Sequence, residues 1–183
     1  MVVAKNDIAH RHLAAQFADH GRTGDLERAY VAMVWGRPRQ LRGTIDAPLG
    51  RSGSDRTKRA VKREESDDAR EAVTHYEVVE RFQEQPDSTA LACLVECRLE
   101  TGRTHQIRVH MASKGSPILG DAVYGSGSAA PPVKTAVAEA GLTRQALHAS
   151  VLGFIHPLTG EALRFETALP PDMQALETLL AAL

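Results

Sequence analysis

Residues 99–125 read Leu-Glu-Thr-Gly-Arg-Thr-His-Gln-Ile-Arg-Val-His-Met-Ala-Ser-Lys-Gly-Ser-Pro-Ile-Leu-Gly-Asp-Ala-Val-Tyr-Gly, the densest gathering of chemically able side chains in the chain. A glycine followed by donors at a helix start makes a ready anion site, because the first turn's N–H groups have no helical partners. Arg103 and Arg108 are five residues apart and cannot share one helix stripe. One can therefore meet a phosphate from the loop while the other points inward. An inward arginine demands a carboxylate opposite, since an unpaired buried charge is very costly. A solvated basic helix is the bland alternative. His105 and His110, at i and i+5, are split across the helix, unlike the i, i+4 pair of zinc enzymes. Cys93 and Cys97 fall on a predicted strand, where four residues span about 13 Å. A disulfide needs Cα atoms about 4.4–6.8 Å apart, so two buried thiols are expected. No metal site is expected from either pair.

A second charged feature lies upstream. Residues 51–63 carry six positive side chains against one negative, and residues 64–68 then carry four negative ones. Neither part has an apolar periodicity, so residues 50–68 read as a long exposed hairpin or loop. The 17 arginines outnumber the 5 lysines, a bias that suits bidentate phosphate contacts; a GC-rich genome produces the same bias.

These residues must be positioned by the surrounding elements. Residues 1–5 read as a strand in progress. Asn6 or Asp7 can cap a helix to about His20, with Ala9, Leu13 and Phe17 on one stripe and Gly21 as its stop. Residues 27–35 alternate as a strand, and residues 43–47 make a shorter one. Two strong strands follow at 72–82 and 89–99, joined by a turn at 85–88. Thr104 can cap a helix to about Lys114, which Gly115 ends. A loop at 126–132, a short helix at 133–140, a hairpin of 147–155 with 163–165, and a last amphipathic helix from Pro170-Pro171-Asp172 complete the chain. Neighbouring strands broken by single helices predict a mostly antiparallel α+β fold.

Length and composition set the bounds. The 183 residues are enough for one domain with a sizeable core. Hydrophobic residues make up 43% and charged residues 25%, as in soluble globular proteins. No apolar run is long enough for a membrane span, and the N-terminus lacks the basic, apolar pattern of a signal peptide. A cytoplasmic location with no membrane partner is the expectation. The net charge of −1 means that any nucleic acid must be held by local patches.

Arg-Thr-His-Gln-Ile-Arg-Val-His at 103–110, with Pro117-Ile118-Leu119-Gly120-Asp121 and Tyr124-Gly125, resembles the RluA-type (RluA, RluC and RluD-like) RNA pseudouridine synthases almost letter for letter. Ala29-Tyr30-Val31-Ala32 with Gly36 resembles that family's tyrosine-bearing strand. Gln145-Ala146-Leu147-His148-Ala149 with Phe154, His156 and Pro157 resembles its late hairpin. Residues 1–5 resemble the strand that follows its catalytic motif. The resemblance covers nearly the whole chain, with the blocks in the right order.

It implies the pseudouridine synthase fold, a mostly antiparallel bent sheet flanked by helices with an RNA cleft across its middle. It also implies a cofactor-free isomerase that converts uridine to pseudouridine in ribosomal RNA first and transfer RNA second, acting as a monomer. Arg108 would pair with the nucleophilic aspartate, keeping it ionised. Tyr30 would stack on the flipped uracil. Arg103, His105 and Gln106 would contact RNA backbone or base, and Arg51, Arg56, Lys58 and Arg59 would add electrostatic grip from the charged loop. Asp121 reads as a turn or helix-end residue rather than a catalyst.

The family's nucleophile sits in an H-R-L-D-x-x-T-S-G motif, and no Arg-Leu-Asp occurs in this sequence. The expectation is therefore a catalytic domain over 1–183 whose nucleophile-bearing segment is missing, leaving Arg108 without its partner and the chain unable to isomerise uridine. The alternative is a non-catalytic RNA-binding domain that retains the fold.

Overall fold

The computed structural model describes residues 2–19, 24, 26–55, 57–63, 65–84, 90–125 and 129–183. The expected stop at Gly21, the turn at 85–88, the start of the 126–132 loop and Arg56 lie outside them. Among the described residues the elements are α1 (Asp7–Asp19), β1 (Glu27–Trp35), β2 (Arg42–Asp46), β3 (Leu49–Arg51), β4 (Arg59–Val61), β5 (Val73–Glu84), β6 (Ala90–Leu99), α2 (Gln106–Ser113), α3 (Pro131–Glu139), β7 (Leu147–Ile155), β8 (Ala162–Glu166) and α4 (Pro171–Ala181). Six strands form one sheet in the order β2-β5-β6-β1-β7-β8, every pair antiparallel, while β3 and β4 make a separate ribbon. This is the predicted α+β architecture. Register shifts between Val78 and Glu80 and between Ala29 and Tyr30 are bulge-type irregularities, and bulges bend a sheet and increase its local twist.

The main core lies where β1, β5 and β6 are covered by α2, α3 and α4. Ala32, Val34, Cys93, Val95 and Cys97 of the strands share one buried cluster with Met111, Val133, Met173, Leu176 and Leu180 of the helices. Cys93 and Cys97 are both buried and neither forms a disulfide. Burial pushes the Cys97 thiol up to about 12, so it stays protonated and behaves as a small apolar group. A smaller cluster joins α1 to β7 through Leu13, Leu26 and Phe154. Asn6 Oδ1 accepts the Ala9 N–H at 2.9 Å, as an N-cap should. Gln16 then clamps α1 to the sheet, donating to the Ile155 carbonyl and accepting its N–H, each at 2.8 Å.

Residues 2–4 are not a strand. Both sides of β1 are occupied, by β6 and β7, and β7 is closed by β8. Val2 and Ala4 pack instead against the α1 cluster. The segment after α2 is held more firmly than its loop-like composition suggests. Trp35 N–H donates to the Pro117 carbonyl at 2.9 Å, Leu119 N–H to Met33 at 2.9 Å, and Ala146 N–H to Leu119 at 2.8 Å. Residues 117–119 thus run beside the end of β1 and carry Asp121 to a fixed place.

Candidate active site

The first turn of α2 is built differently from the sequence expectation. The helix starts at Gln106 and no side chain caps it; His105 precedes it with φ at 60°. A left-handed conformation at a non-glycine residue costs roughly 1–3 kcal/mol and is retained where the surroundings impose it. Gln106 supplies much of that constraint. Its Oε1 accepts from the Thr101 hydroxyl at 2.8 Å and the Arg103 N–H at 2.9 Å, while its Nε2 donates to the Val73 carbonyl at 2.9 Å and Thr74 Oγ1 at 3.0 Å. Its carboxamide is buried and fully used within the protein. Gln106, expected as an RNA contact, thus uses its carboxamide to tie α2 to β5.

His110 continues that network. Its Nε2–H donates to the Ala47 carbonyl at 2.9 Å, leaving Nδ1 to accept from the Thr74 hydroxyl at 2.9 Å. Burial is the main reason its pKa lies below the usual histidine value, partly opposed by the Ala47 hydrogen bond.

Arg108 is paired with the kind of carboxylate an inward arginine demands. Its Nε and Nη2 donate to Asp121 Oδ2 and Oδ1 at 2.7 and 2.8 Å, a bidentate fork. The Asp121 side chain is fully buried and that of Arg108 is 11% exposed. The carboxylate demanded opposite an inward arginine is thus Asp121, thirteen residues on. Asp121 Oδ1 also accepts the Val123 and Tyr124 N–H groups at 2.9 and 3.1 Å, so it holds the expected turn as well. Burial raises its pKa, but Arg108 and those two N–H groups outweigh it and hold the carboxyl below its usual range. Two glycines permit this placement. A Cβ on Gly120, whose φ is +71°, would lie 2.3 Å from the Arg144 carbonyl oxygen, and one on Gly125 would lie 2.3 Å from that of Asp121.

Tyr124 joins this pair to the charged hairpin. The Arg108 guanidinium carbon stands 4.9 Å from the centre of its ring. Its hydroxyl oxygen accepts the Arg59 backbone N–H at 2.9 Å and lies 2.9 Å from His105 Nδ1. Burial, then the Arg108 charge, lowers the His105 pKa; the neutral ring can accept the phenol proton at Nδ1.

Tyr30 reaches the same place from the sheet, at the register irregularity of β1 against β7, where bulges commonly re-aim a side chain. Tyr30, Arg103, His105, Gln106, Arg108, Gln145 and their apolar neighbours line one cavity of about 310 Å³, a size suited to a small-molecule-like group such as a base. Five residues singled out in the sequence thus converge on it. Gln145 was missed as a lining residue, although its block carried the resemblance. Arg51, Lys58 and Arg59 lie on the β3–β4 hairpin and do not line this cavity. That hairpin partly balances itself: Lys58 meets Asp55 at 3.9 Å and Lys62 meets Asp68 at 3.3 Å.

Comparison with known proteins decides the family. Residues 1–113 match the family model described as RNA pseudouridylate synthase. The chain belongs to that family. Ribosomal large subunit pseudouridine synthase D of Zymomonas mobilis is 46% identical over 98% of this chain and 52% of its own length. The uncharacterized RNA pseudouridine synthase YlyB of Bacillus subtilis is 49% identical over 96% of this chain and 50% of its own. The chain spans about half the length of the curated relatives it matches. Human RNA Pseudouridylate Synthase Domain Containing 1 superposes with a TM-score of 0.71 at 25% identity, covering 95% of this chain and 66% of the human one. This pseudouridylate synthase domain therefore has the fold expected from its sequence blocks, with Arg108 and Tyr30 at one cavity.

Proposed function

We propose that these 183 residues form the uridine-binding body of an RNA pseudouridine synthase acting on ribosomal RNA. The observation that carries the reading is the single cavity shared by Tyr30, His105, Arg103 and Arg108. Tyr30 offers a ring on which a flipped uracil stacks, an interaction worth about 1–3 kcal/mol against an unstacking cost of a few kcal/mol. Arg103 and His105 line the same cavity and serve base or backbone contact. Arg108 presents the donors that Asp121 leaves unused. Among the described residues its Nη1 has no hydrogen-bond partner, so it remains available to orient a second carboxylate, the nucleophile that isomerisation needs. The names of the relatives support ribosomal RNA over transfer RNA. A cytoplasmic, monomeric protein working without cofactor completes the proposal.

No H-R-L-D motif occurs in the sequence. Asp121, the carboxylate nearest Arg108, is sealed by its own bonds. The polypeptide by itself is therefore expected to bind uridine-containing RNA weakly and to isomerise none of it. Tritium release from RNA labelled at uracil C5 measures this directly, because carbon 5 loses its hydrogen when it joins the ribose. Background release from the 183-residue chain, restored when a segment bearing H-R-L-D is fused ahead of it and lost again on Arg108→Ala, is the expected pattern. Pseudouridine formed by the 183 residues alone, and abolished by Arg108→Ala, would overturn it. The absent motif also favours a second reading, a non-catalytic RNA-binding domain; unchanged RNA binding with no gain of activity on fusion would select it.

A further inference from the structure

Beside the cavity just described lies a second, smaller one of about 120 Å³, lined by Leu49, Arg59, Asp68, Arg70, Arg103 and Thr104. Three arginines line it, from β4, from the segment before β5 and from the loop before α2. Among the described residues none of the three is paired with a carboxylate. Asp68, the one acidic group present, is already engaged, accepting the Arg51 N–H at 2.7 Å and pairing with Lys62. Two of the arginines are anchored instead by backbone carbonyls. Arg70 Nη1 donates to Asp67 and Ala69 at 3.2 and 2.8 Å, and Arg103 Nε donates to Glu71 at 2.9 Å. A carbonyl orients a guanidinium without cancelling its charge. The register adds a like-charge pair: Arg51 stands directly opposite Arg59 across the ribbon, an arrangement that destabilises an isolated ribbon and that a bound anion relieves.

We propose that Arg59, Arg70 and Arg103, with the Thr104 hydroxyl, bind one backbone phosphate of the RNA. Arginine's fork of donors matches phosphate oxygens, and two carbonyl-anchored guanidiniums are preorganised to receive them. The proposal rests on the RNA reading above and adds to it the place of the backbone. Arg103 lines both cavities, so the phosphate site and the base cavity share a wall. Tyr124 fixes the backbone of the third arginine, since its hydroxyl holds the Arg59 N–H while bonding to His105. Arg70 belongs to no sequence motif considered above; its only signal is tertiary.

The test is fluorescence anisotropy of a labelled uridine-loop RNA hairpin titrated with the 183-residue chain between 50 and 300 mM KCl. Arg70→Gln should weaken binding by about five- to tenfold at low salt and flatten the slope of log K against log salt by about 0.7–0.9, the signature of one lost phosphate contact. Arg70→Lys keeps the charge and should keep the slope. One methylphosphonate linkage in the RNA should weaken wild-type binding as Arg70→Gln does, and the variant should be indifferent to it. Wild-type affinity and slope in both Arg70→Gln and Arg59→Gln, with weakened binding in Tyr30→Ala, would overturn the phosphate site while leaving the base cavity standing. No wild-type binding at 50 mM KCl would overturn the RNA reading itself. Inorganic phosphate separates the remaining source: millimolar phosphate that shifts the Arg70 and Arg103 Nε–Hε resonances, with RNA affinity and slope untouched by Arg70→Gln, would make this a free-anion site and overturn its assignment to RNA.

Discussion

Arg108 and Asp121 form a buried fork whose two halves lie thirteen residues apart, on α2 and on the turn after it. Removing one partner of such a pair strands the other charge, at a cost of about 3–5 kcal/mol. Asp121→Ala is therefore expected to lower the urea unfolding free energy by about 3 kcal/mol and to weaken RNA binding with it, because Arg108 loses the carboxylate that aims it. The two buried or half-buried histidines give a separate signature. His110 and His105 are held neutral, their pKa values below 6.5 chiefly through burial. The unfolded chain takes up protons at these histidines near pH 6.5, and the folded chain only at lower pH, so stability falls as pH drops below about 6.5. Asp121 works in another window, its contribution present above the usual aspartate value of 3.8 and lost as pH falls through its depressed one. Urea midpoints measured from pH 7.5 to 5 should decline, and His110→Gln should flatten that decline.

Most elements were legible because their apolar period matches their geometry. β1 and β6 lie where alternation placed them, β7 lies where its hairpin turn placed it, and α1, α3 and α4 fall within a few residues of the predicted bounds. The start of α2 was not legible. Thr104 is a good cap by type, but the left-handed turn at His105 and the four bonds of Gln106 override it. Nor could periodicity show that the residue 50–68 stretch is tied down. Its β3–β4 ribbon is joined to the site through the Tyr124 hydroxyl. Tyr124→Phe removes the acceptor and should cost about 1 kcal/mol. Amide exchange at Arg59 should quicken by about fivefold with α4 unaffected; uniform quickening would mean a global effect instead.

For the molecule as a whole, α2, α3 and α4 share the main core with the central strands and α1 secures β7. Leu176 and Leu180 of α4 are fully buried in the main core. Leu176→Ala should cost about 2–5 kcal/mol by the lost burial and the cavity left, read as a lower urea midpoint with an unchanged slope. Gln16→Ala, which cuts two bonds between α1 and Ile155, should cost about 1–2 kcal/mol.

The sequence by itself determined the α+β class, the family blocks and five of the residues that line the cavity beside α2. Periodicity and motif spacing are local quantities, and Arg103, His105, Arg108 and Tyr30 sit within them. Only the tertiary structure decided who partners whom. It assigned Asp121 to Arg108, turned Gln106 inward, and brought Arg70 alongside Arg59 and Arg103. Those outcomes depend on which carboxylate, carbonyl or hydroxyl reaches each donor across the folded sheet. A buried charge or amide selects its partner by distance in space, and spacing along the chain carries no record of that distance.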